Sequence, residues 1–211
     1  MVSKEEIDAA LCERHTKEVH TILSAGKVAI AGLGGLGSTI AIALARAGVG
    51  HLHLIDFDKV DISNLNRQQY RLKDIGRNKT ECLKEIIQDI NPYLTIKTDT
   101  VRVTEDNIQE LFEQEDIICE AFDRPEAKSM LVDGFFTYFG QTKKLVSGSG
   151  MAGYASSNLI QTRKINDHFY LAGDMTNGLE KGMSLMAPRV GICAGHQANM
   201  IIRLLLGETE V

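Results

Sequence analysis

The sequence predicts an α/β fold built on a doubly wound, mostly parallel sheet. Three observations carry this. Short apolar runs alternate with amphipathic segments from Lys27 to Val146; the first run leads into Gly32-Leu33-Gly34-Gly35-Leu36-Gly37; and Asp56 ends the second run, nineteen residues beyond Gly37. Strand, glycine turn, helix and strand in that order make a βαβ unit, whose crossover requires parallel strands with covered faces.

An N-terminal helix is expected from Lys4 to Leu23, with Ser3 as N-cap and Glu6 completing a capping box, and Gly26 ending it. Lys27 to Ala31 reads as a buried strand, and Ser38 to Ala47 as an alanine-rich helix close to the sheet. Ala47-Gly48-Val49-Gly50 turns the chain into a second strand, His51 to Ile55. A helix from near Asn78 to Ile90 is stopped by Asn91-Pro92, and Leu94 to Val101 forms the third strand. Thr104 to Gln114 suits another helix, and Ile117-Ile118-Cys119 a buried fourth strand. Pro125 fits the first turn of a helix reaching Tyr138, and Leu145-Val146 opens a fifth strand. From Ser149 the alternation changes. Leu159 to Ile165 and His168 to Leu171 read as short antiparallel strands, Ala172 to Ser184 as a connection, and Ala187 to Leu206 as a closing helix.

A chain of 211 residues, 44% of them hydrophobic, buries a sizeable core as a single domain spanning 1–211. Its 23 Lys and Arg against 28 Asp and Glu give a net charge of −5, which argues against a general nucleic-acid surface or a polybasic membrane patch. Cys12, Cys82, Cys119 and Cys193 are scattered without Cys-x-x-Cys spacing, so neither zinc nor a disulfide framework is expected. Met1 to Ala10 lacks an apolar signal segment, and a cytosolic location is expected.

The chemistry converges on phosphate. Gly32, Gly34, Gly35 and Gly37 allow a backbone turn to approach an anion at the start of a helix, where unpaired N–H groups and the helix dipole favour negative charge. Asp56 stands where a carboxylate meets a ribose hydroxyl, which suits NAD and ATP alike. Asp58 either holds the loop or contacts the nucleotide. The set Asn64-Leu65-Asn66-Arg67-Gln68 separates the two cofactors, because only a triphosphate with a departing pyrophosphate needs so many donors after the second strand. Lys79 adds a point charge. Asp123, after the fourth strand, either ligates Mg²⁺ or caps the helix at Pro125. His51, His53, His196 and Cys193 read as structural.

These motifs, together with Asp56-Phe57-Asp58, Gly76-x-x-Lys79, Asn91-Pro92, Met186-Ala187-Pro188-x-x-Gly191 and Gln197-Ala198, resemble the ThiF/MoeB/HesA group of the ubiquitin-activating-enzyme superfamily, and its short ThiF-like members in particular. The resemblance implies a Rossmann-like fold and a homodimer. It also implies ATP- and Mg²⁺-dependent adenylation of the C-terminal glycine of a ThiS-like, ubiquitin-fold sulfur carrier in thiamine thiazole biosynthesis. Arg67, Lys79 and Asp123 would be catalytic, Asp123 would hold the metal, and the glycines, Asp56, Asp58, Asn64 and Gln68 would bind the nucleotide. Lys17 stands where relatives carry an Arg that reaches the partner's phosphates, with Arg14 a second candidate, and Lys128 replaces Arg in Asp-Asn-x-x-x-Arg. Asn177 to Lys181 replace a reactive Cys loop, so a separate sulfur donor is expected. Three other readings remain: adenylation of a small-molecule or tRNA-linked carboxylate, an NAD oxidoreductase, and a non-catalytic nucleotide-binding relative.

Overall fold

The computed structural model describes residues 2–176 and 184–211. The expectations for Asn177 to Lys181, and for most of the Ala172 to Ser184 connection, lie outside the described residues.

Seven strands form one sheet in the order β3-β2-β1-β4-β5-β7-β6, where β1 is Lys27–Ala31, β2 His51–Ile55, β3 Thr95–Asp99, β4 Ile117–Glu120, β5 Lys144–Gly148, β6 Gln161–Lys164 and β7 Phe169–Gly173. Every neighbouring pair is parallel except β6 with β7. The short antiparallel extension expected at the C-terminal end is the β6–β7 pair, in which β7 also continues the parallel sheet from β5. The order changes direction at β1, whose neighbours β2 and β4 carry connections leading away to opposite sides. That leaves a crevice at the carboxyl ends of β1 and β4.

The helices cover both faces. α3 (Gly35–Ala47) packs against α7 (Ala187–Leu205), burying Ile40, Leu44, Val190, Cys193 and Ile201. α5 (Ile108–Leu111) and α6 (Pro125–Tyr138) cover the other face with Ile108, Phe112, Leu131 and Phe135. α4 (Lys79–Ile90) lies beside α3 and carries Leu83 and Ile87 inward. No helix among the described residues is long and apolar enough to cross a membrane.

Two helix expectations fail for local reasons. The N-terminal helix has its capping box, with Glu6 N donating to Ser3 Oγ and Ser3 N to Glu6 Oε2. It breaks at Thr16, however, giving α1 (Lys4–His15) and α2 (Lys17–Ala25). α1 buries nothing, whereas α2 buries His20 and Leu23, so the break turns only the second piece onto the core. The helix expected over Thr104 to Gln114 shrinks to α5 because Asn107 competes for the backbone: its Oδ1 accepts from Thr104 N and its Nδ2 donates to Arg102 O.

Candidate functional site

The glycine loop turns back at the carboxyl end of β1. Gly32 has φ 91°, a conformation that suits glycine, and donates to Ile55 O of β2 at 2.9 Å. A Cβ on Gly37 would stand 1.8 Å from Gly32 O, so the loop lies directly on the first turn of α3. α3 starts at Gly35, three residues earlier than expected, with Gly34 as N-cap and no side-chain cap. Its first N–H groups therefore face the crevice as donors for an anion.

Asp56 clamps this loop. It is 8% exposed, its Oδ2 accepts from Leu33 N at 2.7 Å, and its Oδ1 accepts from Asp58 N at 2.7 Å. Burial raises its pKa, against the pull of the Lys79 ammonium 3.8 Å away. Asp58 is the more open carboxylate. Lys79, the buried first residue of α4, donates to Asp58 Oδ2 at 3.0 Å, while Asp58 O caps the helix by accepting from Lys79 N at 3.1 Å. Lys79 thus lies on these two carboxylates, within the same crevice edge.

The pentad folds against the loop. Asn64 O accepts from Arg67 N and Gln68 N, and Asn64 Oδ1 accepts from Asp61 N at 3.0 Å, so Asn64 shapes the turn. Arg67 Cγ and Gln68 Nε2 come within 3.4 and 3.8 Å of where side chains on Gly35 and Gly34 would begin. Arg67 donates to Asn66 Oδ1 at 2.8 Å and Ser63 O at 3.3 Å. Two buried polar atoms here, Arg67 Nε and Gln68 Oε1, have no partner among the described residues.

Asp123 follows β4 at the same edge. It is exposed and unbonded among the described residues, and Arg124 rather than Asp123 occupies the N-cap of α6, so the capping alternative falls away. A lone exposed carboxylate at this edge is of the kind Mg²⁺ takes, one or two at a time, beside phosphate oxygens. Among the described residues no cluster of three or more His, Cys, Asp or Glu is arranged to hold a metal.

Lys17 is not brought to this site within one chain. Leu11 and His20 pack on Gly48, at the far end of the 13-residue α3, a helix roughly 20 Å long. Lys128 does not face the glycine loop either; it binds the buried Glu120. Cys193 donates to Ala172 O at 3.5 Å, and burial pushes its thiol up to about 12, so it stays protonated near neutral pH. His53 sits between Glu115 and Asp99, 2.7 Å from each.

The sequence reading missed several supports. Tyr70 donates its hydroxyl to Leu33 O at 2.8 Å, and burial pushes that hydroxyl's pKa well up. Asn66 Nδ2 donates to Leu185 O at 3.1 Å, tying the pentad to the segment entering α7. Arg189 and Asp174 form a buried ion pair beneath that entry. Only the long-range fold brings these partners together, so no spacing announces them.

The sequence matches the ThiF family over residues 9–211. The chain belongs to the ThiF family. Among relatives, it is 30% identical to the molybdopterin-synthase adenylyltransferase of Salmonella typhimurium over 190 residues, 87% of this chain and 74% of that protein. It is 33% identical to the adenylyltransferase and sulfurtransferase MOCS3 of Culex quinquefasciatus over 130 residues, 61% of this chain. That match covers 29% of MOCS3, and a longer one to the UBA4 of Lodderomyces elongisporus covers 41% of that protein, so the chain spans less than half the length of such relatives. Among solved structures, the E. coli tRNA N6-threonylcarbamoyladenosine dehydratase TcdA in complex with ATP superposes with a TM-score of 0.86 at 20% identity, covering 98% of this chain and 97% of that one. The likeness identifies a shared ThiF-type fold.

Proposed function

We propose that the chain is an ATP-dependent adenylyltransferase that activates the C-terminal glycine carboxylate of a ThiS-like, ubiquitin-fold sulfur carrier in the thiazole branch of thiamine biosynthesis. The observation that carries the activation step is the convergence of two donor side chains on the uncapped start of α3: Arg67, whose buried Nε has no partner among the described residues, beside Gly35, and the Gln68 amide, which turns its Nε2 toward Gly34. Such a donor set suits a polyanion in transition. The relatives' names, adenylyltransferases in each case, support the same chemistry.

In this reading the carrier carboxylate attacks the α-phosphorus of ATP. A carboxylate–phosphorus bond forms, the bond to the bridging oxygen breaks, and pyrophosphate leaves with the electron pair. No general base is needed, because the carboxylate is ionised near neutral pH. The α3 amides, Arg67, Gln68 and Asn64 bind phosphate oxygens, and Lys79 exchanges its hold on Asp58 for the developing charge. Asp56 and Asp58 face the ribose, Asp56 also keeping the loop in shape. Asp123 would hold Mg²⁺, which when bound neutralises phosphate charge. The chain acts as a homodimer in which Lys17 of a second copy supplies a further cation, and sulfur comes from a separate donor.

A second reading, adenylation of a tRNA-linked carboxylate, draws on the end-to-end match to TcdA. The net charge of −5 counts against it, since RNA binding favours a basic face. ATP–pyrophosphate exchange with Mg²⁺ tests both. Exchange that requires a carrier ending in Gly-Gly supports the first reading. Exchange stimulated by modified tRNA instead replaces it, and ATP binding without exchange on any carboxylate removes both.

A further inference from the structure

Glu120, the last residue of β4, is a wholly buried carboxylate that the proposed reaction does not use. Burying a charge is costly unless it is paired and its remaining lone pairs are satisfied. Here the pairing is complete. Lys128, in the first turn of α6, donates to both carboxylate oxygens at 3.0 and 2.9 Å. Phe122 N donates to Oε1 at 2.7 Å, and the Ser147 hydroxyl donates to Oε2. The same ammonium reaches Gly148 O at 2.8 Å, and Gln197 Nε2 of α7 donates to Glu120 O at 3.1 Å. The Glu120 carboxylate therefore joins β4 to β5 and α6, and its backbone carbonyl ties in α7, at the crevice edge.

Asp123 lies inside the segment this junction controls. It follows Phe122, whose N–H is held by Glu120, and precedes α6, whose first turn is held by Lys128. Among the described residues Asp123 has no partner of its own, so its position derives from these two anchors. We propose that the Glu120–Lys128 pair is the positioning device for Asp123, fixing where its carboxylate meets the metal-bound phosphates. This inference rests on the adenylation reading, in which Asp123 holds Mg²⁺. It gives the Lys at 128 a specific use. An ammonium has three donors, and all three are engaged, on Glu120 Oε1, Glu120 Oε2 and Gly148 O.

The test follows the Mg²⁺ concentration that half-saturates ATP binding, measured by calorimetry, beside melting temperature and ATP–pyrophosphate exchange. Removing Lys128 alone orphans a buried charge and threatens folding, so the informative variant is the neutral pair Glu120→Gln/Lys128→Met. It is expected to melt close to wild type and bind ATP normally without metal. Its Mg²⁺ requirement should rise about 10-fold or more, the scale for removing supports of a metal-binding carboxylate. Asp123→Ala should shift the same requirement, and Lys128→Arg, which keeps charge and donors, should not. A neutral pair that titrates with Mg²⁺ like wild type, while Asp123→Ala shifts, overturns the positioning role. Asp123→Ala titrating like wild type overturns it at the Asp123 assignment instead. Because metal-dependent binding is read without turnover, absent exchange in the wild type marks failure of the adenylation reading separately.

Discussion

Arg67 is the side chain to which the proposed adenylation gives the moving charge. It touches the glycine loop through its stem, while its head rests on Asn66 Oδ1 and Ser63 O, partners it can give up to phosphate. Arg67→Ala should therefore lose at least about 3 kcal/mol of transition-state stabilisation, the scale for one preorganised electrostatic group. Exchange rates measure it, and near-normal turnover refutes the role. Gly37 is constrained differently. Gly37→Ala drives a methyl into Gly32 O, and the backbone cannot yield without breaking the loop. We expect a loss of about 3 kcal/mol or more in denaturant unfolding, the upper range for overpacking. The glycines and Asp56 were legible in the sequence because their spacing is set by the turn itself. The loop-holding contacts of Asp56 were not legible. Its carboxylate grips Leu33 N and Asp58 N, contacts that depend on how the loop closes rather than on spacing.

Elements were legible where one pattern governed them. Pro125 to Tyr138 appears as the sequence indicates because Pro at its start and a buried Leu131 and Phe135 agree. The break at Thr16 was hidden, since amphipathic periodicity does not register a single residue at φ 74°, ψ 154°. That region disfavours β-branched residues, at about 1–3 kcal/mol. The Thr16 side chain returns little, accepting one long 3.4 Å bond from Val19 N. Thr16→Gly should therefore raise stability by about 1 kcal/mol, read as a higher melting temperature; a lower one would show that the cap outweighs the strain. The connection between β2 and α4 depends on Asp74, which is wholly buried and accepts from Arg71 N at 2.8 Å and Arg71 Nε at 3.0 Å. Burial opposes ionisation, but Arg71 wins and holds the carboxyl below its usual 3.8. A depressed pKa stabilises the fold above the unfolded value and loses that contribution as pH falls through the folded one. Asp74→Asn should be less stable than wild type at pH 7, with the gap closing below pH 3.8. A constant gap would assign the loss to packing.

At the scale of the whole molecule, the parallel sheet reverses its order beside β1, and that reversal gathers Gly34, Arg67, Lys79 and Asp123 from four separate stretches onto one edge. The sequence announced this assembly through alternation and a glycine turn. It could not announce the distance to Lys17, because the break at Thr16 directs α1 and α2 to the opposite end of α3. In the proposed homodimer, a cation there would meet the phosphates of the other copy across a two-fold interface. That geometry makes complementation the decisive prediction. Lys17→Ala and Arg67→Ala should each lower exchange as separate homodimers. Mixed and allowed to re-pair, they should recover activity, because one site of each heterodimer then combines an intact Arg67 with the intact Lys17 of the other copy. Recovery on mixing assigns Lys17 to the neighbour's site. If Lys17→Ala turns over normally by itself, the residue has no part in the chemistry, and the cations within one chain suffice.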